Sequence, residues 1–301
     1  MPELPEVETI TRELARSLTG EKILSARIRY PKVIGKLKSR EFQFLELAAF
    51  QFIRYPKVIG KLKSREFEKL VRGAAFKKFQ RRAKVIVMEL SNGRAILVHL
   101  KLTGRLLLEA PGVKPRKETE TVFRLKSGRQ LFYDDLRRFG WIKLLPISEL
   151  KNYFQRENYG PEPLAPSFTA QKMIACLRAR PRKKIKQVLL DQTCIAGVGN
   201  IYADESLWSA GILPPRLVSE IDDQKLRRLC NSLKLVLRRA ILFRGSSASD
   251  YLDLYGQPGD FFPKLRAYGQ TCKKCAKGDR GIIKKIKLAG RGTHYCPVHQ
   301  K

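Results

Sequence analysis

The stretch KKIKQVLLDQTCIAGVGNIYADESLWSAGI, residues 183–212, decides how the second half of the chain folds. An apolar run with helical spacing leads into the turn Gly197-Val198-Gly199-Asn200, and a second helix is predicted from about Ile201. The glycines permit a tight turn, and amide groups at the start of a helix favour an anion such as a phosphate. Asn200 is also an ordinary helix cap. Six basic residues among positions 178–186 favour the anion.

Downstream, the chain ends in two pairs of candidate metal ligands. Cys272 and Cys275 form one pair, and Cys296 and His299 form the second after an interval of twenty residues. This spacing predicts one structural Zn²⁺ in a tetrahedral site. An apolar, lysine-rich hairpin lies between the pairs, with Arg291 at its tip, and residues 261–301 contain eleven Lys or Arg and one acidic residue. A purely stabilising zinc would explain the ligands, whereas the charge favours a hairpin that contacts a DNA groove.

The first half of the chain has the pattern of β-structure. Val85–Leu90 and Ala95–Leu100 are aliphatic runs separated by Ser-Asn-Gly, which indicates a hairpin. An N-terminal helix is predicted over about Val7–Leu18. Further strands are predicted at residues 105–109, 121–125, 130–133 and 141–145. We therefore predict an α+β multidomain chain divided into a β-domain (1–150), a proline-rich linker (151–165), a helical domain (166–262) and a metal-binding tail (263–301).

Composition restricts the class of partner. The 61 Lys and Arg exceed the 28 Asp and Glu by 33 charges, which favours a polyanion, with nucleic acid the leading candidate. The sequence has neither a run of about 18 apolar residues nor a signal pattern, so no membrane partner is expected and a soluble, cytoplasmic protein is predicted. Clustering of three cysteines in the tail argues for a reducing compartment. The remaining three, Cys176, Cys194 and Cys230, are interpreted as buried thiols.

The N-terminus, Met1-Pro2-Glu3-Leu4-Pro5-Glu6, carries a potential nucleophile. Removal of Met1 would leave the secondary amine of Pro2, and an α-amino group is partly neutral at physiological pH. Its condensation with an aldehyde gives an iminium cation, which promotes elimination. Glu3 and Glu6 are close enough in sequence to donate a proton and to orient a substrate. Alternatively, the terminus is frayed and the glutamates only complement a helix dipole; taken alone, these six residues favour that alternative.

Together these segments resemble one family, the bacterial formamidopyrimidine-DNA glycosylases of the Fpg/Nei superfamily. The resemblance covers most of the chain. It rests on PELPEVET at 2–9, RRAK at 81–84, HLKLTGRL at 99–106, DDLRRFG at 134–140, LLDQ at 189–192, AGVGNIYADE at 196–205 and the cysteine tail. The resemblance implies an N-terminal β-sandwich with flanking helices, a helix-two-turn-helix domain and a C-terminal zinc-finger hairpin. DNA is expected to bind in the cleft between the domains.

The resemblance also implies roles for individual residues. Pro2 is expected to attack C1′ of the damaged nucleotide, Glu3 to protonate the sugar, and Glu6 to orient the flipped nucleotide. Lys84 is expected to reach a phosphate and to assist the lyase step. His99, Asn200 and the catalytic finger residue Arg291 match phosphate-contacting positions.

A flipped nucleotide leaves a gap in the duplex, and the family fills it with a Met-Arg-Phe trio. The corresponding residues here are Leu102, Arg137 and Phe139, in which leucine keeps an apolar wedge of similar volume. A lesion-reading loop is expected around Ser246–Asp260. Taken singly, each of these positions has an ordinary structural explanation, such as a core histidine for His99; their joint presence in the family's order favours the functional one.

Two departures from the family pattern are evident. His299 occupies the position of a cysteine ligand, which a Cys3His zinc site accommodates. The segment IRYPKVIGKLKSREF occurs twice, at residues 28–42 and 53–67. Two copies are too few for a solenoid, and removal of one 25-residue period restores the spacing of the family. Our hypothesis is that Ile28–Phe52 loops out on the surface and that the second copy continues into the sheet.

The predicted function is that of a bifunctional DNA glycosylase and AP lyase of base excision repair. The resemblance implies excision of 8-oxoguanine and formamidopyrimidines from damaged double-stranded DNA, with strand cleavage by β,δ-elimination. The enzyme is expected to be a cytoplasmic, nucleoid-associated monomer with one structural Zn²⁺ and no redox or nucleotide cofactor. Two alternatives stay open. One is an endonuclease VIII-like glycosylase for oxidised pyrimidines, which Leu4 and the residues around Arg137 disfavour. The other is a non-catalytic, zinc-dependent DNA-binding protein, if the insertion displaces the sheet beneath Lys84.

Overall fold

A computed structural model describes residues 1–29, 64–247 and 250–301. Most of the duplicated segment, including the whole of Gln43–Phe52, lies outside these residues. The hypothesis about which copy joins the sheet concerns that part of the chain. In the described part, the first copy begins at the end of a strand and the second copy ends in a helix. Two compact units are present. The first comprises Val7–Tyr153, apart from the residues not described, with Met1–Pro2 and a short segment around Tyr251–Leu254, and the second comprises Glu3–Glu6 with the rest of the chain.

The first unit contains eight strands and three helices among the described residues. The helices are α1 (Leu4–Leu18), α2 (Ser64–Val71) and α3 (Leu150–Glu157). The strands are β1 (Ile23–Ile28), β2 (Phe76–Arg82), β3 (Val85–Leu90), β4 (Arg94–His99), β5 (Gly104–Glu109), β6 (Thr119–Leu125), β7 (Gln130–Asp135) and β8 (Trp141–Pro146). The first three residues of α1 and the end of α3 belong to the second unit.

The strands form two antiparallel four-stranded sheets, with the orders β1-β6-β7-β5 and β2-β3-β4-β8. Both sheets contribute side chains to one apolar core, for example Phe123 and Leu131 from the first sheet and Ile86 and Ile96 from the second. Alternation of inward and outward residues along each strand produces this arrangement. The unit is therefore a β-sandwich.

Helix α1 covers this core because its apolar residues recur at helical spacing. Val7, Ile10, Leu14 and Leu18 are all fully buried in the core of the first unit. Leu4, at the start of the same helix, belongs instead to the core of the second unit.

The second unit contains four helices among the described residues: α4 (Ala170–Arg178), α5 (Ile185–Leu189), α6 (Asn200–Ala210) and α7 (Asp223–Leu242). Helix α6 is almost entirely buried, which is the arrangement of a central helix in a helical domain. Its end is set by Gly211, which has a φ of 72° that suits glycine at a helix C-terminus. An antiparallel hairpin of β9 (Lys284–Leu288) and β10 (Arg291–Tyr295) follows near the C-terminus.

The predicted fold class, a β-sandwich followed by a helical domain and a C-terminal hairpin, is confirmed. The strands predicted at Val85–Leu90 and Trp141–Leu145 are present. Strand β2 was not predicted, because four of its seven residues are Lys or Arg. The division of the chain at residues 151–165 and 262–263 stays a prediction. In the described part of the chain, no helix is both long and apolar enough to cross a membrane.

Candidate functional site

The N-terminal residues are buried rather than frayed. Pro2, Glu3 and Glu6 are all buried, while Met1 is partly exposed. Glu6 lies in the first turn of α1 and accepts a hydrogen bond from the backbone N–H of Glu3 at 2.8 Å. This contact satisfies one of the free amides at the start of the helix. It also fixes the backbone directly after Pro2.

The carboxylate of Glu3 lies at the N-terminus of α6 in the second unit. One oxygen accepts a hydrogen bond from Ile201 N at 3.0 Å, and the other is 3.5 Å from Tyr202 N. The free amides and the dipole of a helix N-terminus both favour an anion there. The sequence predicted a phosphate at this position; in the structure a carboxylate of the chain itself accepts from these amides.

Gly199 makes this approach possible. A Cβ atom at position 199 would lie 2.3 Å from Cδ of Glu3. The backbone of Gly199 is extended, with φ −133° and ψ −161°. Glycine is therefore needed here because a side chain would collide with Glu3, and not because of an unusual backbone conformation.

Glu6 is a buried carboxyl group with three donors. It accepts hydrogen bonds from the Tyr202 hydroxyl and from Ser246 N as well as from Glu3 N. Burial raises the pKa of Glu6 above its ordinary value, although these hydrogen bonds oppose the shift. A carboxyl group in such surroundings is suited to hold a polar group in a fixed orientation.

Lys84 is in the turn between β2 and β3, directly before the predicted strand Val85–Leu90. The turn is tight, with Ala83 at a φ of 52°, and the guanidinium of Arg81 donates to Ala83 O at 2.8 Å. Lys84 is largely buried. The next residue, Val85, is paired with His99 across the sheet, so Lys84 and His99 lie at the same end of this sheet.

His99 is buried and neutral. Burial lowers its pKa to about 3, and the positive charges of Lys101, Lys84 and Lys143 contribute. Its Nδ1 accepts a hydrogen bond from Lys101 N at 3.0 Å. The proton of the neutral ring is therefore on Nε2, which makes His99 a neutral hydrogen-bond donor at physiological pH.

The three wedge candidates lie on two adjoining turns of the first unit. Leu102, which is partly exposed, belongs to the turn between β4 and β5. Phe139 follows β7 and is about half exposed, and the guanidinium of Arg137 lies 4.8 Å from its ring centroid. The Thr103 hydroxyl joins the two turns, because it contacts Asp135 Oδ1 at 2.5 Å and accepts from Arg137 N at 3.0 Å. The structure thus brings these candidates together. Leu136, which is 72% exposed beside them, was not selected from the sequence.

Asn200 and Arg291 belong to one hydrogen-bonded network in the second unit. Asn200 is the first residue of α6, with Gly199 as its cap, and its side-chain amide donates to Gly292 O at 2.9 Å. The buried Lys186 also donates to Gly292 O, at 3.0 Å, and forms an ion pair with Asp204 at 2.6 Å. These contacts fix the hairpin at the residue after Arg291. Arg291 itself is exposed, at the start of β10.

Asp204 and Glu205 extend this support along α6. Asp204 accepts a hydrogen bond from His294 N at 2.9 Å on β10. Glu205 accepts backbone hydrogen bonds from Ala267 and Tyr268, both at 2.8 Å. Lys186, Asp204 and Glu205 were not predicted as site residues from the sequence; their only signal was charge within a segment predicted to be helical.

A group of potential metal ligands lies in the C-terminal tail. Ligand atoms of Cys275, Asp279, Cys296 and His299 all lie within 4.8 Å of one another. His299 Nδ1 is 3.4 Å from Cys275 Sγ and 3.0 Å from Asp279 Oδ2. His299 Nε2 lies 2.9 Å from Trp208 O, and donation to that carbonyl leaves Nδ1 free to bind a metal.

The donor chemistry of this group fits a metal ion. Two sulfurs, an imidazole nitrogen and a carboxylate oxygen are all ligands that zinc accepts. Of the four ligands predicted from sequence, Cys275, Cys296 and His299 are in the group. Cys272 is exposed and outside it, and Asp279, which we had noted only as the sole acidic residue of the tail, is inside it.

One prediction about the cysteines was wrong. Cys176 and Cys194 form a disulfide, with Cα atoms 5.7 Å apart, and are not free buried thiols. Their separation of 18 residues gave no sequence signal, because folding alone brings α4 beside the turn that precedes α6. Cys230 is a free buried thiol, as predicted, and burial raises its pKa.

Comparison with known families shows the class of this protein. The family model described as the formamidopyrimidine-DNA glycosylase N-terminal domain matches residues 1–49 and 45–142. The model of the formamidopyrimidine-DNA glycosylase H2TH domain, the helix-two-turn-helix domain, matches residues 159–251. The β-sandwich and the helical unit therefore correspond to the two domains that define this class.

Individual relatives agree over the whole chain. Formamidopyrimidine-DNA glycosylase of Streptococcus mutans is 36% identical over 301 residues, and that of Lactococcus lactis subsp. lactis is 34% identical over 301 residues. In both cases all of each chain is covered. The chain belongs to the formamidopyrimidine-DNA glycosylase family.

Solved structures of the Lactococcus lactis enzyme are similar to the whole chain. A complex with DNA that contains an abasic site has a TM-score of 0.85 and 33% identity, with 99% of each chain covered. A complex of a mutant with DNA that contains Fapy-dG has a TM-score of 0.86 and 32% identity, with 100% of each chain covered. A third complex contains DNA with an oxidised pyrimidine, at a TM-score of 0.85 and 32% identity, also with 100% of each chain covered.

Proposed function

We propose that this chain is a bifunctional DNA glycosylase and AP lyase of base excision repair that removes oxidised purines from double-stranded DNA. Membership of the family supports this proposal, together with the similarity to structures that contain damaged DNA. The observation that carries it is the placement of Glu3: its carboxylate, directly after the buried Pro2, is fixed on the amides of a buried helix. A carboxyl group held in a fixed position next to the nucleophile is what the proposed chemistry needs.

Pro2 acts as the nucleophile once Met1 has been removed. Its secondary amine attacks C1′ of the damaged nucleotide, and the bond from C1′ to the base breaks. The sugar ring opens to give an iminium cation on Pro2, which acidifies the neighbouring C2′ hydrogens. Loss of a C2′ proton expels the 3′ phosphate, and a second elimination expels the 5′ phosphate.

Glu3 and Glu6 divide the supporting roles. Glu3 protonates the sugar oxygen as the ring opens and then moves protons during the eliminations. Glu6, buried and bound by three donors, orients the flipped nucleotide. Flipping is required because C1′ of a stacked nucleotide is not accessible to an amine on a protein.

Four donors bind the phosphates around the flipped nucleotide. Lys84 supplies a charge near the reacting sugar and assists the lyase step, and His99 supplies a neutral N–H. Arg291 lies at the exposed end of the hairpin, which Lys186 and Asn200 fix in place. Asn200, fixed on Gly292 O at the start of α6, is the fourth of these donors.

The turns that carry Leu102, Arg137 and Phe139 fill the gap left in the duplex. Apolar and aromatic side chains at this exposed end of the sandwich replace the stacking that the flipped base loses. Arg137 supplies hydrogen bonds to the base that has lost its partner.

The tail binds one structural Zn²⁺ through Cys275, Cys296 and His299, with Cys272 or Asp279 as the fourth ligand. When bound, the ion stabilises the hairpin that presents Arg291. The enzyme acts as a monomer on chromosomal DNA, which places the proposed reaction in the cytoplasm, at the nucleoid.

A second candidate substrate class is oxidised pyrimidines. A structure similar to this chain is a complex of an Fpg with DNA that contains an oxidised pyrimidine. Purine lesions are the first choice because of Leu4 and the residues around Arg137. A thymine-glycol duplex tested beside an 8-oxoguanine duplex measures this preference directly.

Borohydride trapping tests the proposed function. Reduction of the Pro2 iminium on an 8-oxoguanine duplex should give a stable covalent adduct, and Pro2→Gly or retention of Met1 should remove it. Pro111→Ala, at an exposed turn, is the control for loss of a proline. DNA binding without any adduct would contradict the enzymatic function and support a zinc-dependent DNA-binding protein.

A further inference from the structure

The exposed loop that carries Arg137 and Phe139 is fixed from below by one carboxylate. Asp135 accepts hydrogen bonds from Arg137 N at 3.2 Å and from Gly140 N at 2.7 Å, so both ends of the loop are tied to it. Between these ends, Leu136 and Phe139 are exposed. Arg138 has a left-handed backbone, with a φ of 55°. The backbone of the loop is therefore held in place while its side chains project.

A second carboxyl group, Glu120, lies beneath the same loop. It is at a β-bulge in β6, where the pairing with β7 shifts between Thr119 and Thr121. A bulge redirects a side chain out of the regular alternation. Glu120 is 1% exposed, and its Oε1 lies 3.4 Å from Nε of Arg138, whose side chain is about half exposed.

The Glu120 carboxylate depends on Arg138 for compensation. Its second oxygen, Oε2, is buried and has no hydrogen-bond partner among the described residues. The charged and titratable groups that face it are Asp135 and Tyr133 from β7 and Arg138 from the loop. Burial and the charge of Asp135 raise the pKa of Glu120 to about 7, and Arg138 opposes this rise.

We propose that Glu120 is a positioning residue that holds the Arg138 guanidinium against the sheet, and that transfer of Arg138 to a DNA phosphate is linked to uptake of a proton by Glu120. The inference rests on the proposed function, since it requires DNA at this loop. An exposed guanidinium beside an apolar wedge is a suitable phosphate ligand. Once Arg138 has moved, a buried carboxylate would lack its cation, so the group binds a proton from solvent instead.

The direction of the pH effect follows from this exchange. Above pH 7 Glu120 is ionised in the free protein and competes with DNA for Arg138. Below pH 7 it is protonated and no longer competes with DNA for Arg138. DNA binding should therefore be accompanied by uptake of up to about half a proton at pH 7, where Glu120 is ionised in half of the free molecules. The uptake should be larger at pH 8. The contribution to Kd should be a weakening of up to about fivefold from pH 7 to pH 8.

Proton uptake can be measured by titration calorimetry in buffers of different ionisation enthalpy. The probe is a duplex that contains a tetrahydrofuran abasic analogue, at constant ionic strength between pH 6 and 8.5. We expect Glu120→Gln to lose up to about half a proton of uptake at pH 7 relative to the wild type. Glu109→Gln is the matched control, because it removes a carboxylate of the same unit that is paired with Arg116 at 2.6 Å. This control should keep the wild-type uptake.

Arg138→Gln tests the link between Arg138 and proton uptake by Glu120 independently. Without the guanidinium, Glu120 has the same surroundings before and after binding, so the linked uptake should also disappear. Equal proton uptake in the wild type and in folded Glu120→Gln or Arg138→Gln would overturn the inference, while trapping at Pro2 could still succeed. Absence of any DNA binding by the wild type would overturn the proposed function itself, and the inference with it.

Discussion

Glu3 accepts a hydrogen bond from Ile201 N at 3.0 Å, which places a glutamate from the start of the chain on the N-terminus of a helix, with 198 positions between the two residues. The helix dipole and the free amides stabilise its charged form. The contact also fixes the residue that follows Pro2. The proposed acid is thus positioned by the helical unit, and not by the N-terminal helix alone.

Replacement of Glu3 by Gln should abolish most excision without loss of the fold. Glutamine can still accept from Ile201 N, but it cannot donate a carboxylic proton to the sugar. We expect excision of 8-oxoguanine to fall by at least about 100-fold, the usual contribution of a general acid. Single-turnover kinetics measure the effect. Glu8→Gln, in α1 and partly exposed, is the control; comparable losses in both variants would contradict a specific role for Glu3.

Alanine at position 199 should push Glu3 off the helix. The backbone at Gly199 is extended and tolerates alanine, so the main conflict is the 2.3 Å approach of the new Cβ to Glu3. We expect Gly199→Ala to lower the free energy of unfolding by about 1–3 kcal/mol, as overpacking does. In a Glu3→Ala background most of this cost should vanish. Urea unfolding of the four variants measures the coupling, and purely additive effects would show that the crowding is not with Glu3.

The sequence predicted the elements that have strong local periodicity. The strands Val85–Leu90 and Arg94–His99 and the start of α6 near Ile201 depend on side-chain patterns that are visible within ten residues. Strand β2 was missed, because its lysines and arginines conceal a sheet that only its partner β3 stabilises. Local pattern therefore predicted these strands and helices, whereas their arrangement as a β-sandwich and a helix-two-turn-helix domain was implied by the family resemblance.

Much of the candidate site could not be found by the same means. Lys186 and Asp204 form an ion pair across 18 positions, and both look like solvated charges in the sequence. Their burial follows only from the packing of α5 and α6 against the hairpin. The disulfide between Cys176 and Cys194 is a similar case, since spacing alone did not distinguish it from two buried thiols.

His99 should not titrate between pH 5 and pH 8. Its pKa in the folded protein is about 3, below the usual value near 6.5, so the unfolded chain binds the proton more readily. The stability that depends on a neutral His99 is complete above pH 6.5 and is lost as the pH falls toward 3. We expect a slope of up to about 1.4 kcal/mol per pH unit in that window.

Urea unfolding of the wild type and His99→Asn at pH 7, 6 and 5 isolates this contribution. The variant should lack the His99 part of the slope, and the NMR signals of the His99 ring should stay in the neutral range down to pH 5. A midpoint near pH 6.5 for His99 in the folded wild type would show that the ring is accessible and charged, in conflict with its burial.

Zinc content should identify the fourth ligand of the tail. Cys275 Sγ and His299 Nδ1 lie 3.4 Å apart. Cys275→Ser and His299→Ala should each lose the metal, because both residues are ligands whether Cys272 or Asp279 is the fourth. Cys272→Ser and Asp279→Asn separate the sets. If Asp279 is the fourth ligand, Asp279→Asn should release zinc to a chelator at least about tenfold more readily than Cys272→Ser, and the reverse order would assign Cys272. Plasma emission spectrometry of the dialysed proteins measures the content. Retention of a full equivalent of zinc by Cys275→Ser would show that this group does not bind the ion.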